Sequence, residues 1–178
     1  MEPNDEWWIP LADNLWDEAG RGRADHSHAK LYRTFLTSIH GTSTPVDRSC
    51  WPPMQQAVHN AVNTFISFFH NAAPLEAMAA IGLGSELFAG TIMGTFGQGL
   101  RHPAYNGTRN INTAFWDVHA DIDESRHYAL CRAILERFDS PQQLEQMWQV
   151  GRYIALSEAA MYRGIYEEHK HADTSAVS

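Results

Sequence analysis

Six ionisable side chains stand where the hydrophobic pattern calls for apolar ones. His119, Asp123 and His127 recur four residues apart, and at about 100° per residue they share a helical sector of roughly 80°. Phe115, Ile122, Leu130, Ala133 and Ile134 fall in or beside that sector, whereas Asp117, Asp121, Glu124, Ser125, Tyr128 and Arg132 fall opposite. Two imidazoles and a carboxylate therefore lie in the apolar stripe although exposed positions were open to them. Buried ionisable groups are costly unless paired or bound to a metal. His–Asp contacts at i,i+4 also occur as ordinary helix pairs, so the metal reading needs donors from elsewhere.

Three more candidates supply them. Glu86 is the only ionisable group between Ala77 and Leu100, and a carboxylate there needs a dedicated partner, an ion or a structural salt bridge. Glu18 closes the stripe Trp8–Leu11–Leu15–Glu18. His28 opens a face completed by Leu31, Tyr32, Phe35, Leu36 and Ile39. Three carboxylates and three imidazoles on separate helices are the inventory from which bundles build carboxylate-bridged di-iron sites. A mixed nitrogen and oxygen set suits iron or manganese better than calcium.

The elements that must position these groups are all helical. The first runs from Trp7 toward Gly20, which can close it in the left-handed conformation. The second runs from Asp25, a favoured N-cap type, to His40. Pro52-Pro53 opens a third, to Asn71, and Pro74 a fourth, possible as far as Leu100. Glycines 82, 84, 90, 94 and 97 in the fourth imply close approach to a neighbouring helix or a ligand. Residues 101–107 read as a loop. Asn110 or Asn112 can cap the central helix, which ends at Asp139-Ser140-Pro141. Ser140, Pro141 and Gln143 are start signals for the last helix, to about Glu168. The expectation is an all-α single domain of about six helices over 1–170, with a polar disordered tail over 171–178.

Composition narrows the function. The net charge of −8 and the absence of a basic run argue against a nucleic-acid partner. Two cysteines, Cys50 and Cys131, stand in no metal or redox spacing, so a reducing cytoplasm is the expected location. The first six residues, Met1 to Glu6, are acidic with no apolar run after them, and the expectation is that they are not a signal peptide. Met78–Leu100 is apolar but carries Glu86 and Gln98, which reads as a buried helix and not as a membrane span. The Trp7-Trp8 pair points to an interface, since large apolar side chains need covering.

The stretch Asn14-Leu15-Trp16-Asp17-Glu18-Ala19-Gly20-Arg21-Gly22 through His28-Ala29-Lys30-Leu31, then Gly84-Ser85-Glu86, then His119-x-x-x-Asp123 followed by a His, resembles the haem-oxygenase-like di-iron oxidases, or iron-containing redox enzymes. The likeness extends from Leu11 to Glu168. It implies a haem-oxygenase-like helical bundle with Glu18, His28, Glu86, His119, Asp123 and His127 as ligands of two iron ions, manganese being the alternative, and dioxygen as co-substrate. It implies oxidation of a small organic substrate, such as an amine or amino acid, in a pocket lined by Met93, Phe96, Phe115 and Arg126. In the family the last His follows the Asp by three residues; here Arg126 holds that place and His127 comes one later, an offset that a π-bulge could absorb. Members also carry further helices ahead of the Glu segment. The expectation is that these are absent here, or that a homodimer or a partner chain supplies them. Two other readings stand beside this one. One is a metal-free enzyme of the same fold, thiaminase-like or quinone-synthase-like, with Cys131 the candidate nucleophile of the former. The other is a non-catalytic helical partner of another subunit.

Overall fold

The computed structural model describes residues 5–40, 54–106, 110–120 and 124–175. Among them there are helices and no strands, in agreement with the all-α expectation. The helices are α1 (Asp5–Glu18), α2 (His28–His40), α3 (Gln56–Asn71), α4 (Pro74–Ala79), α5 (Leu87–Arg101), α6 (Pro103–Asn106), α7 (Ala114–Val118), α8 (Glu124–Leu135) and α9 (Pro141–Ser175). There are more of them than the six expected because two long helices are interrupted. A π-helical stretch, Ala80–Glu86, separates α4 from α5, and the turn after α7 is π-helical at His119 and Ala120. The loop expected at 101–107 contains the short α6, which Pro103 opens. By length and composition alone Pro74–Arg101 could cross a membrane.

The chain groups into two compact units, one formed by residues 52–85 and 137–178 and the other by 2–51 and 86–136. In the first, α9 packs on α3 and α4. Ala61, Met78, Ala79, Ala80, Met147 and Ile154 are buried there. The glycines do what their spacing suggests. A Cβ built on Gly84 would lie 2.7 Å from the Ile154 Cβ, and one on Gly151 would lie 2.7 Å from the Leu83 Cβ, so only hydrogen atoms fit between these backbones. Ser140 starts α9 as expected: its hydroxyl accepts the Gln143 N–H, and its carbonyl accepts that of Leu144. That helix runs past Glu168 to Ser175, so residues 171–175, expected to be disordered, are helical, and residues 176–178 lie outside the described residues.

In the second unit α1 packs on α8, α2 on α7, and α5 on both α7 and α8. Trp7, Phe35, Cys131, Ile134 and Leu135 are buried. The end of α1 follows the expected route: Gly20 has φ +84°, its N–H donates to the Asp17 carbonyl, and the Arg21 N–H donates to that of Trp16. These two bonds make a Schellman cap. Asp25, however, is not the N-cap of α2. It lies in a 3₁₀ turn, Ala24–His26, and the Ser27 carbonyl receives the first helical N–H groups, from Lys30 and Leu31. The N-cap of α7 is Thr113 and neither Asn110 nor Asn112, although one residue ahead of it the Asn112 side-chain oxygen accepts the Ala114 N–H. The irregular segment expected from Thr42 to Pro53, including Pro52-Pro53, lies outside the described residues.

Candidate metal centre

The tight connection between α1 and α2 brings two donors together. Glu18 is the last residue of α1 and His28 the first of α2. The Glu18 Oε2 lies 2.8 Å from Nδ1 of His28, whose side chain is only 8% exposed. His119, in the π turn after α7, completes the group. One donor atom from each of Glu18, His28 and His119 lies within 4.8 Å of the others, little more than twice a metal–ligand bond of about 2.1 Å. The His28 and His119 rings are 4.4 Å apart.

The protonation of this group is partly fixed by its neighbours. Nδ1 of His119 lies 2.6 Å from the Phe115 carbonyl oxygen. A carbonyl can only accept, so Nδ1 carries a hydrogen, which leaves Nε2 as the ring nitrogen that can face an ion. Such a lock is the usual support of a metal-binding imidazole. The Glu18 carboxyl is held below the ordinary carboxylate range, first by its contact with His28 and then by the nearby charges of His28, His127 and His119, against a burial cost of opposite sign. It stays ionised, ready to bind a cation.

A second group lies in the same unit. His127, on α8, is 3% exposed, with Nδ1 3.8 Å from the Glu86 Oε2 and Nε2 3.8 Å from the Asp17 Oδ2. Its Nε2 is buried without a hydrogen-bond partner among the described residues. Asp17 is in turn bound through both oxygens by the Arg21 guanidinium, with Nη2 at 2.9 Å from Oδ2. Nitrogen and oxygen donors gathered in this way, one of them an orphaned buried imidazole nitrogen, fit a hard-to-borderline transition-metal ion such as iron.

Of the six expected ligands, the structure brings Glu18, His28 and His119 together, and sets Glu86 beside His127. Asp123 lies outside the described residues. Arg126 falls in α8, but its side chain is outside them too. Phe115 packs against His119, with ring centroids 4.4 Å apart, and against Tyr32. Phe96 stacks on Trp116 and remains partly exposed. Met93 lies on α5, half-buried.

Asp17 is the functional candidate that the sequence reading missed. It assigned the inner face of α1 to Trp8, Leu11, Leu15 and Glu18, yet Trp8 and Leu15 are 61% and 70% exposed. The inward face carries Trp7, Pro10, Asn14 and Asp17, the same 3,4,3 spacing shifted by one residue. Half of that face is polar, so a search for apolar residues picks the wrong register. The i,i+4 pair Asp17–Arg21 was the available signal.

Cys131, the candidate nucleophile of the thiaminase-like reading, sits in surroundings that disfavour its thiolate. It is buried, and desolvation together with the Glu86 charge pushes its thiol up to about 12, leaving too little thiolate to attack a substrate. A family model described as iron-containing redox enzyme matches residues 6–158. No curated protein and no solved structure matches the chain.

Proposed function

The chain belongs to the family of iron-containing redox enzymes, and from that membership we propose that it holds two iron ions and uses dioxygen to oxidise a small organic substrate. The observation that carries this reading is the convergence of Glu18, His28 and His119 within 4.8 Å. In it Glu18, His28 and Nε2 of His119 hold one ion, and Glu86 and His127 hold the other. Asp123 completes the set, and manganese is the alternative metal. Bound ferrous iron would supply the electrons that dioxygen needs.

The protein's own residues prepare that chemistry. The Phe115 carbonyl engages Nδ1 of His119 and so orients the ring with Nε2 toward the ion. The rings of Tyr32, Phe35, Phe115 and Trp116 pack against one another beside His119. Glu18 and Glu86 bring negative charge to balance the cations. A small amine or amino acid is the proposed substrate class, with Arg126 the partner for an anionic group. A cytoplasmic homodimer, or a complex with a chain that supplies further helices, is the proposed form.

The test is an anaerobic titration with ferrous iron. About two ions per chain should bind, and on mixing with dioxygen the iron should be oxidised with oxygen uptake. His119→Ala and Glu86→Ala should each abolish this. A well-folded protein with no affinity for iron would overturn the proposal in favour of a non-catalytic helical partner.

A further inference from the structure

Of the tryptophan pair near the start of α1, Trp7 is buried and Trp8 faces outward. Trp8 does not stand alone. Trp8, Ile9, Leu15 and Trp16 are 61%, 75%, 70% and 54% exposed, and Ala12 lies open between them. At about 100° per residue these five positions fill one sector of roughly 120°, and none of them is charged. The opposite side of the helix packs on α8. Trp16 is held in place as well: a Cβ on Gly22 would lie 3.1 Å from its ring, so the glycine lets the indole rest on the turn. A side chain ordered beforehand costs less to bury in a contact.

The area suits an interface. The exposed parts of the four large side chains come to on the order of 500 Å², while a standard interface takes about 800 Å² from each partner. One helix thus supplies more than half of what a stable dimer needs.

The spacing says what covers this face. Trp8 and Trp16 stand four residues to either side of Ala12, and Ile9 and Leu15 three residues to either side. The pattern is symmetric in angle too, with each tryptophan about 40° from Ala12 and Ile9 and Leu15 each about 60° from it. A two-fold axis at Ala12 therefore sets Trp8 of one copy opposite Trp16 of the other, and Ile9 opposite Leu15. That is the condition for an isologous contact, in which residue i meets j and j meets i. The small residue stands at the crossing, where two helix axes come within about 8–10 Å. Antiparallel crossing also sets the positive end of each helix beside the negative end of the other. An unrelated partner imposes no such symmetry.

We propose that the outer face of α1 is the contact of a homodimer, in which α1 of a second copy crosses it antiparallel at Ala12. This deepens the homodimeric form proposed above and rests on that reading of the assembly. The buried face of the same helix carries Asp17, and its last residue is Glu18. The contact therefore braces the helix from which the candidate centre takes a donor.

Sedimentation velocity of the full chain at micromolar concentration should show a dimer. Ala12→Arg sets two guanidinium groups face to face across the axis and should weaken association by roughly 100-fold or more. Position 12 is exposed, so circular dichroism should stay unchanged, and Trp8→Glu is a second variant on the same face. Ala12→Cys, combined with Cys50→Ser so that the buried Cys131 is the only other thiol, should join two copies through a disulfide in oxidised glutathione. Leu144→Cys in the same background, on an exposed position of α9, should not.

A monomer would overturn the proposal. So would a dimer that Ala12→Arg and Trp8→Glu leave intact, or one linked through position 144 and not through position 12. Manganese(II) titration of the same samples separates this inference from the proposed function. A dimer of the expected kind that binds no metal would count against the function alone, and a monomer that binds two ions against this inference alone.

Discussion

The unit formed by residues 52–85 and 137–178 and the unit formed by residues 2–51 and 86–136 solve opposite problems. The first buries mostly small and apolar groups. Its helices approach until Gly84 and Gly151 leave no room for a methyl group, and Ile154 is fully enclosed beside them. The second buries Asp17, His28 and His127 and keeps Glu18, Glu86 and His119 beside them. It also holds a left-handed Arg21. Close packing stabilises, whereas buried charge and backbone strain cost free energy unless something binds to offset them. The difference teaches that the second unit is organised for a ligand and the first for stability.

That contrast can be broken most directly at Ile154. Ile154→Ala should destabilise the protein by about 2–5 kcal/mol in denaturant titration and leave the first manganese-binding event unchanged. If metal affinity fell in step with stability, the division of labour would be wrong. Gly20→Ala should cost roughly 2 kcal/mol or more, from its positive φ and its clash with backbone, and should weaken metal binding as well, because the turn carries both Glu18 and His28.

A saturating metal gives the next effect. An ion present at a hundred times its dissociation constant should add about 2.7 kcal/mol of stability, read as a rise in Tm that a chelator reverses. The rise should persist in Ile154→Ala and vanish in His28→Ala. A rise surviving in His28→Ala would place the binding elsewhere.

The smallest effects concern pH, and there the units should differ in sign. The Glu18 carboxyl is lowered, chiefly by its contact with His28. Its contribution is present above the ordinary carboxyl value of 4.5 and is lost as the pH falls through the lowered value. Glu158, on α9, is raised by burial, against a hydrogen bond with Ser85 that acts the other way. Its protonated form favours the folded state, so its contribution is full below 4.5 and is lost as the pH rises through the raised value. Glu158→Gln should therefore stabilise the protein modestly at neutral pH and leave it unchanged in acid. Glu18→Gln, without metal, should destabilise near neutrality and be silent in acid. Urea denaturation across pH 3–8 (about that range spans both carboxyls) would reveal the opposite slopes, and slopes of the same sign would remove the contrast.

Helical identity was legible because it follows from local signals. Ser140 with Pro141, and Gly20, did what their types suggest, since capping involves groups only a few residues apart. The approach implied by the glycines was legible as well, although the partners Ile154 and Leu83 were not. The offset of His127 pointed to a π-bulge in the central helix, whereas the interruption at Ala80–Glu86 escaped the reading because a π turn changes the register by one residue without changing composition. The face of α1 escaped it because exposed Trp8, Ile9, Leu15 and Trp16 outnumber the apolar residues facing inward.

By itself the sequence determined the class of fold, the donors available for a metal and their order along the chain. Those depend on residue type and near-neighbour spacing. Only the tertiary structure decided which donors meet: that Glu18 and His28 face His119, that Asp17 stands behind His127, and that Cys131 is sealed away. Those outcomes depend on where each helix is rotated when it packs, and a rotation of 100°, one residue, exchanges one side chain for the next.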